Sequence, residues 1–321
     1  MKPSIAAWKS RWKKSPVSRC AGNPGTAAAF ALFALLAVQA PARAAIGTAT
    51  PEAAPPREIP LVEKKMAALS NTEITGEGAK ALAINEAKWK HAETDNFIIH
   101  YRRATEAQKV VREVEYALWF VAKSLGATKD QYRKKSHVFV FADEKEWQNF
   151  LGQTQMPSWA HSFAHGDDLF LNVREAGGMF DSHTLAHETT HAVVSRLYPG
   201  RHWPLWLNEG FAEYMGGASI AARKGQYVKA YQQNLQIAEI GIDQLFEMQA
   251  YPENEKAVGA FYQSSEKFVR FLMNELPKDR FPKFVEAVIA GKAPDAAFVG
   301  IYGDKFKDFE TFRKRYKLFT K

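Results

Sequence analysis

His187-Glu188-Thr189-Thr190-His191, with Trp206-Leu207-Asn208-Glu209-Gly210-Phe211-Ala212-Glu213-Tyr214 a short way downstream, decides how this chain is read. On a helix over 181–197, His187 and His191 stand four residues apart on one face, about 5–6 Å from each other. That separation lets two imidazole nitrogens share one ion at about 2.0–2.1 Å each. Glu188 is turned by about 100° from His187. It is placed to reach a water on such an ion, not to be a further ligand. Leu185, Ala186, Val193, Val194 and Leu197 supply the apolar stripe of that helix, and Asp181 and Ser182 are suitable N-cap residues before it. Trp203 and Pro204 precede a second helix, expected to begin near Leu205 and to present Glu209 in its first turns. Two imidazoles and a carboxylate with a fourth position open form the donor set of a catalytic zinc centre. The candidate metal ligands are therefore His187, His191 and Glu209, and the candidate base is Glu188.

Two further residues are drawn in by chemistry. Glu213 lies one helical turn after Glu209, where it can accept a hydrogen bond from the outer nitrogen of a ligand histidine. Amide hydrolysis passes through a tetrahedral oxyanion, which calls for a second donor beside the metal. Tyr262 is the candidate. It sits at the margin of a helical stripe formed by Phe261, Phe268, Val269 and Leu272.

The HETTH and WLNEGFAEY segments together resemble the gluzincin metallopeptidases, the clan that includes thermolysin and aminopeptidase N. WLNEGFA is similar to the third-ligand segment of the aminopeptidase N type. Phe170-Leu171-Asn172 before the first zinc helix and Tyr262-Gln263-Ser264 after it resemble the small bacterial domains called peptidase MA-like. The resemblance covers roughly residues 95–275. It implies a zincin-like fold with zinc on His187, His191 and Glu209, Glu188 as general base, and a peptide or protein substrate. Thermolysin-like enzymes carry an Asp at the offset of Glu213. The metzincin pattern is not met, because Val194 stands where it has Gly. No Gly-x-Met-Glu-Asn segment precedes His187, so capture of a substrate amino terminus by that route is not implied. Gluzincins lay an extended peptide against a sheet edge beside the zinc. Leu169 to Asn172, which leads toward the zinc helix, is the expected edge.

Composition bounds the rest. The 321 residues are 46% hydrophobic and 13% aromatic, ample for a buried core. Residues 1–44 hold seven Lys or Arg and no acid, with an apolar run from Thr26 to Val38 and Ala42-Arg43-Ala44 after it. This reads as a signal peptide that sends the protein to the periplasm or the exterior, with membrane attachment only if it is retained. Without it, 36 bases face 35 acids, so the net charge of +8 belongs largely to the leader, and nucleic-acid binding loses its support. The single cysteine, Cys20, lies in the same segment. Residues 45–60 read as an Ala/Pro-rich linker.

Residues 61–321 read as one α+β domain: an α/β part (61–180) with a small mixed sheet, then a mostly helical part (181–321). The α/β part has helical composition over 61–88 broken at Gly76 and Gly78, a strand over 96–101 and a helix over 105–125. A strand at 137–141, a short helix at 144–151 and a strand at 168–173 follow. The function this supports is zinc-dependent hydrolysis of peptide bonds. The alternative is a non-catalytic envelope binding or assembly module on the same scaffold.

Overall fold

The computed structural model describes residues 54–55, 58–156, 158, 160–173, 181–226 and 239–319. The segment read as a signal peptide, and most of the linker, lie outside them. Six strands form one mixed sheet: β1 (Val62–Lys64), β2 (Lys90–Glu93), β3 (Phe97–Tyr101), β4 (Ser136–Phe141), β5 (Ser162–His165) and β6 (Asp168–Asn172). Their spatial order is β1-β2-β3-β4-β6-β5. β3, β4 and β6 run parallel at the centre, and the flanking strands run antiparallel.

The central strands are buried throughout, which is why they stand out in sequence as apolar runs. Their period of two sorts the side chains onto two faces. Val138, Val140, Leu169 and Leu171 meet Val110, Val114 and Leu118 of α2 (Ala104–Ser124). Phe139, Phe141 and Phe170 face the other way, onto Ala81 of α1 (Gly76–Ala83) and Trp147 and Phe150 of α3 (Glu144–Thr154).

Three strands, β1, β2 and β5, were not expected from the sequence. The reading of 61–88 as helix broken by glycine is corrected. Val62–Lys64 pairs with β2, and only Gly76–Ala83 is α-helical, capped at its start by Thr75, whose Oγ1 accepts from Gly78 N–H at 3.0 Å. A Cβ at Gly78 would stand 2.9 Å from the Phe139 ring, so glycine lets α1 lie against the sheet. The expected edge is also corrected. β6 lies between β4 and β5, and the edge strand beside the next helix is β5. Gly166 makes the switch, with φ +59° in the two-residue turn that folds β5 back onto β6.

The chain then becomes helical through α4 (Ser182–Leu197), α5 (Leu205–Arg223), α6 (Ile242–Glu247), α7 (Glu255–Asn274), α8 (Phe281–Ile289), α9 (Pro294–Tyr302) and α10 (Phe309–Phe319). Asp181 caps α4 by accepting from His183 N–H at 3.1 Å. Thr189 and Thr190 return their hydroxyls to Leu185 O and Ala186 O at 2.7 Å, so the polar centre of the motif is satisfied within its own helix. At the far end, the buried Arg196 guanidinium donates to the carbonyls of Asn96 and Tyr132 and ties α4 to the sheet. α5 packs on α4 and α7 at once. A Cβ at Gly210 would come 2.4 Å from Ser265 O, so this glycine permits the close approach of α7.

Candidate metal centre

α4 and α5 bring His187, His191 and Glu209 together. The two Nε2 atoms lie 3.0 Å apart, and Glu209 Oε2 is 3.5 Å from one and 3.6 Å from the other. Three donors on one tetrahedral ion at about 2.0–2.1 Å stand roughly 3.3 Å from each other. The observed separations fit a single metal ion with no rearrangement. Among the described residues, no other three His, Cys, Asp or Glu side chains bring their donor atoms so close.

The outward atoms are occupied as well. His187 Nδ1 lies 3.0 Å from Glu213 Oε2, and His191 Nδ1 lies 3.3 Å from Asn208 Oδ1. Both outer partners accept, so in the neutral imidazoles Nδ1 carries the proton and Nε2 presents its lone pair to the centre. Glu209 Oε1, turned away from the imidazoles, accepts from the Tyr251 hydroxyl at 2.5 Å. Glu213 thus lies against the outward nitrogen of His187. Tyr251 was not expected, because it lies in the irregular segment between α6 and α7, where no periodicity marks it.

The electrostatics of the cluster are those of a cation site. Burial works against a charged His187, yet Glu209 and Glu213 outweigh it and hold the imidazole well above its usual pKa. Burial likewise opposes ionised Glu209 and Glu213, and the neighbouring histidines overcome it, keeping both carboxyls below their usual range. Burial, reinforced by Glu209, pushes the Tyr251 and Tyr262 hydroxyls up, so both stay protonated donors at neutral pH.

Glu188 is not part of the donor set. Its Oε1 points toward β5, 3.5 Å from Ser162 Oγ. Tyr262 on α7 packs beside the centre, its ring centroid 6.3 Å from that of His187 and 6.2 Å from that of Tyr251. Glu188 thus borders β5, and Tyr262 borders His187 and Tyr251. His165 lies elsewhere, its Nε2 3.5 Å from Glu77 Oε2.

A family model described as the peptidase MA superfamily matches residues 117–320. The chain belongs to the peptidase MA superfamily. No curated protein matches it. The match starts inside α2 and runs to the C-terminal helix. The peptidase MA scaffold thus includes the whole helical lobe, beyond the stretch of roughly 95–275 that the motifs had marked. It contains β4, β5 and β6, both motif helices and the two tyrosines.

Proposed function

We propose that this protein is a zinc-dependent peptidase, exported and acting on peptide or protein substrates. The observation that carries the reading is the convergence of His187 Nε2, His191 Nε2 and Glu209 Oε2 within 3.0–3.6 Å, at the separations one tetrahedral ion demands. His187, His191 and Glu209 would hold zinc, whose chemistry is to acidify a bound water toward pH 7 and to polarise a carbonyl. The donor chemistry, nitrogen and oxygen with no sulfur, suits that ion.

The chain's own residues do the rest. Glu188, outside the donor set and facing the sheet edge, accepts a proton as water adds to the peptide carbonyl. It returns that proton to the departing amine. Tyr262 stays protonated and donates to the oxyanion. Glu213, Asn208 and Tyr251 hold the ligands in orientation. β5 offers its outer main-chain groups to an extended substrate, which would add as a further strand beside Glu188.

The test is Glu188→Gln, assayed for metal content and for cleavage of a proteome-derived peptide library. The variant is expected to retain zinc and to lose about 10²–10⁴-fold in turnover. Undiminished turnover would remove Glu188 from the mechanism. A zinc-loaded wild type with no chelator-sensitive cleavage would overturn the peptidase reading and favour a binding module.

A further inference from the structure

His183 lies on α4 one turn before His187, and the hydrolytic scheme gives it no part. Its Nε2 is 3.6 Å from Glu213 Oε1, while Glu213 Oε2 faces His187 Nδ1 at 3.0 Å. Two imidazoles of one helix, at i and i+4, thus address the two oxygens of a single carboxylate. Both His183 and Glu213 are largely enclosed, their side chains 15% and 11% exposed.

A separate feature of α5 points to the same ring. Gly216 lies in the interior of that helix, where glycine costs about 0.5–1 kcal/mol relative to alanine. A Cβ there would come within 3.0 Å of His183 Cε1 and Nε2 and 3.1 Å of the His183 carbonyl oxygen. The helix gives up stability at the one turn that makes room for the imidazole.

We propose that His183 is a positioning residue of the metal centre, which holds the outer oxygen of Glu213 and so aims the inner oxygen at His187. The terminal torsion of a glutamate is broad. A carboxylate held at one oxygen swings about that bond, and the imidazole it accepts from swings with it. An imidazole edge 3.6 Å from the other oxygen narrows this freedom and keeps His187 Nε2 directed at the ion. His191 has the simpler arrangement, a single amide oxygen at 3.3 Å. The ligand bound closer to the start of α4 is therefore the more firmly oriented of the two.

This inference rests on the zinc reading above, and its test separates the two. Zinc affinity by chelator competition, and the visible spectrum of the cobalt-loaded protein, are measured for the wild type and for His183→Leu, His183→Asn and His183→Gln. Glutamine places an amide nitrogen near the position of Nε2, whereas asparagine is too short to reach Glu213. The Leu and Asn variants are expected to bind zinc about tenfold more weakly, the lower end of the loss for an outer partner of a ligand, with an altered cobalt spectrum. The Gln variant is expected within about threefold of the wild type, with the wild-type spectrum. Equal weakening in Asn and Gln, or unchanged affinity in Leu or Asn, would overturn the positioning role alone. A wild type that takes up no zinc would overturn the site itself.

Discussion

On α4, His187 and His191 face each other across 3.0 Å; on the sheet, His91, His100 and His137 form a chain with links of 2.7 and 2.8 Å. The side chains are the same and the distances similar, but the outcomes are opposite. His187, between Glu209 and Glu213, is held well above its usual pKa. His100, buried and stacked on Phe139 at 4.6 Å, is pushed well below it, and burial lowers His137 to about 4. The difference lies in convergence and in countercharge. On α4 the two Nε2 lone pairs and a carboxylate oxygen point at one spot. On the sheet each ring spends one nitrogen on each neighbour, so the donors lie along a line and no point is shared by three. Among the described residues, the imidazoles that could share one metal ion are the pair whose free lone pairs meet a carboxylate oxygen.

Outside the ligands themselves, the largest effect expected from perturbing this contrast is on the countercharge of the centre. Tyr251→Phe removes the hydrogen bond to Glu209 Oε1 while leaving the ring in place. It is expected to weaken zinc binding by about 10–100-fold, read by chelator competition. Unchanged affinity would mean that Glu209 is oriented by its helix alone.

A smaller effect is expected from the sheet chain, and its sign is fixed. His100 and His137 are neutral in the fold, whereas the unfolded chain protonates each near pH 6.5. The unfolded state binds more protons below that pH. Stability is therefore complete above about pH 6.5 and is lost as the pH falls from there toward 4. The loss is at most about 1.4 kcal/mol per pH unit for each imidazole. Glu266, whose carboxyl burial raises to about 7, has the opposite sign and loses stability as pH rises through 4.5 to 7. Urea unfolding of the wild type and His100→Phe at pH 7 and pH 5 isolates the histidine contribution. The variant is expected to lose less stability on acidification. An equal loss in both would show that the chain does not govern the acid limb.

How far each region could be read from sequence follows the same physics. The helices of the centre were legible because the motif spacing coincides with the helical period, and Asp181 and Pro204 mark where they begin. β3, β4 and β6 were legible as continuous apolar runs buried on both faces. β2 (Lys-His-Ala-Glu) and β5 (Ser-Phe-Ala-His) carry no such signal, because pairing with neighbours makes them strands. Placing β6 at the edge followed from missing β5. Glu213 was legible one turn from Glu209, but Tyr251 reaches its partner across 42 residues from a segment without pattern. The part of His183 emerges only when Gly216 is seen against its ring.

Zinc titration of three proteins decides whether the α4 cluster, and not the sheet cluster, is the metal centre. The wild type and His100→Phe are each expected to bind one ion per chain with the same affinity. His187→Ala is expected to bind more than about a hundredfold more weakly, beyond what loss of an outer partner costs. Retention of wild-type affinity by His187→Ala, or loss of zinc from His100→Phe, would contradict the assignment.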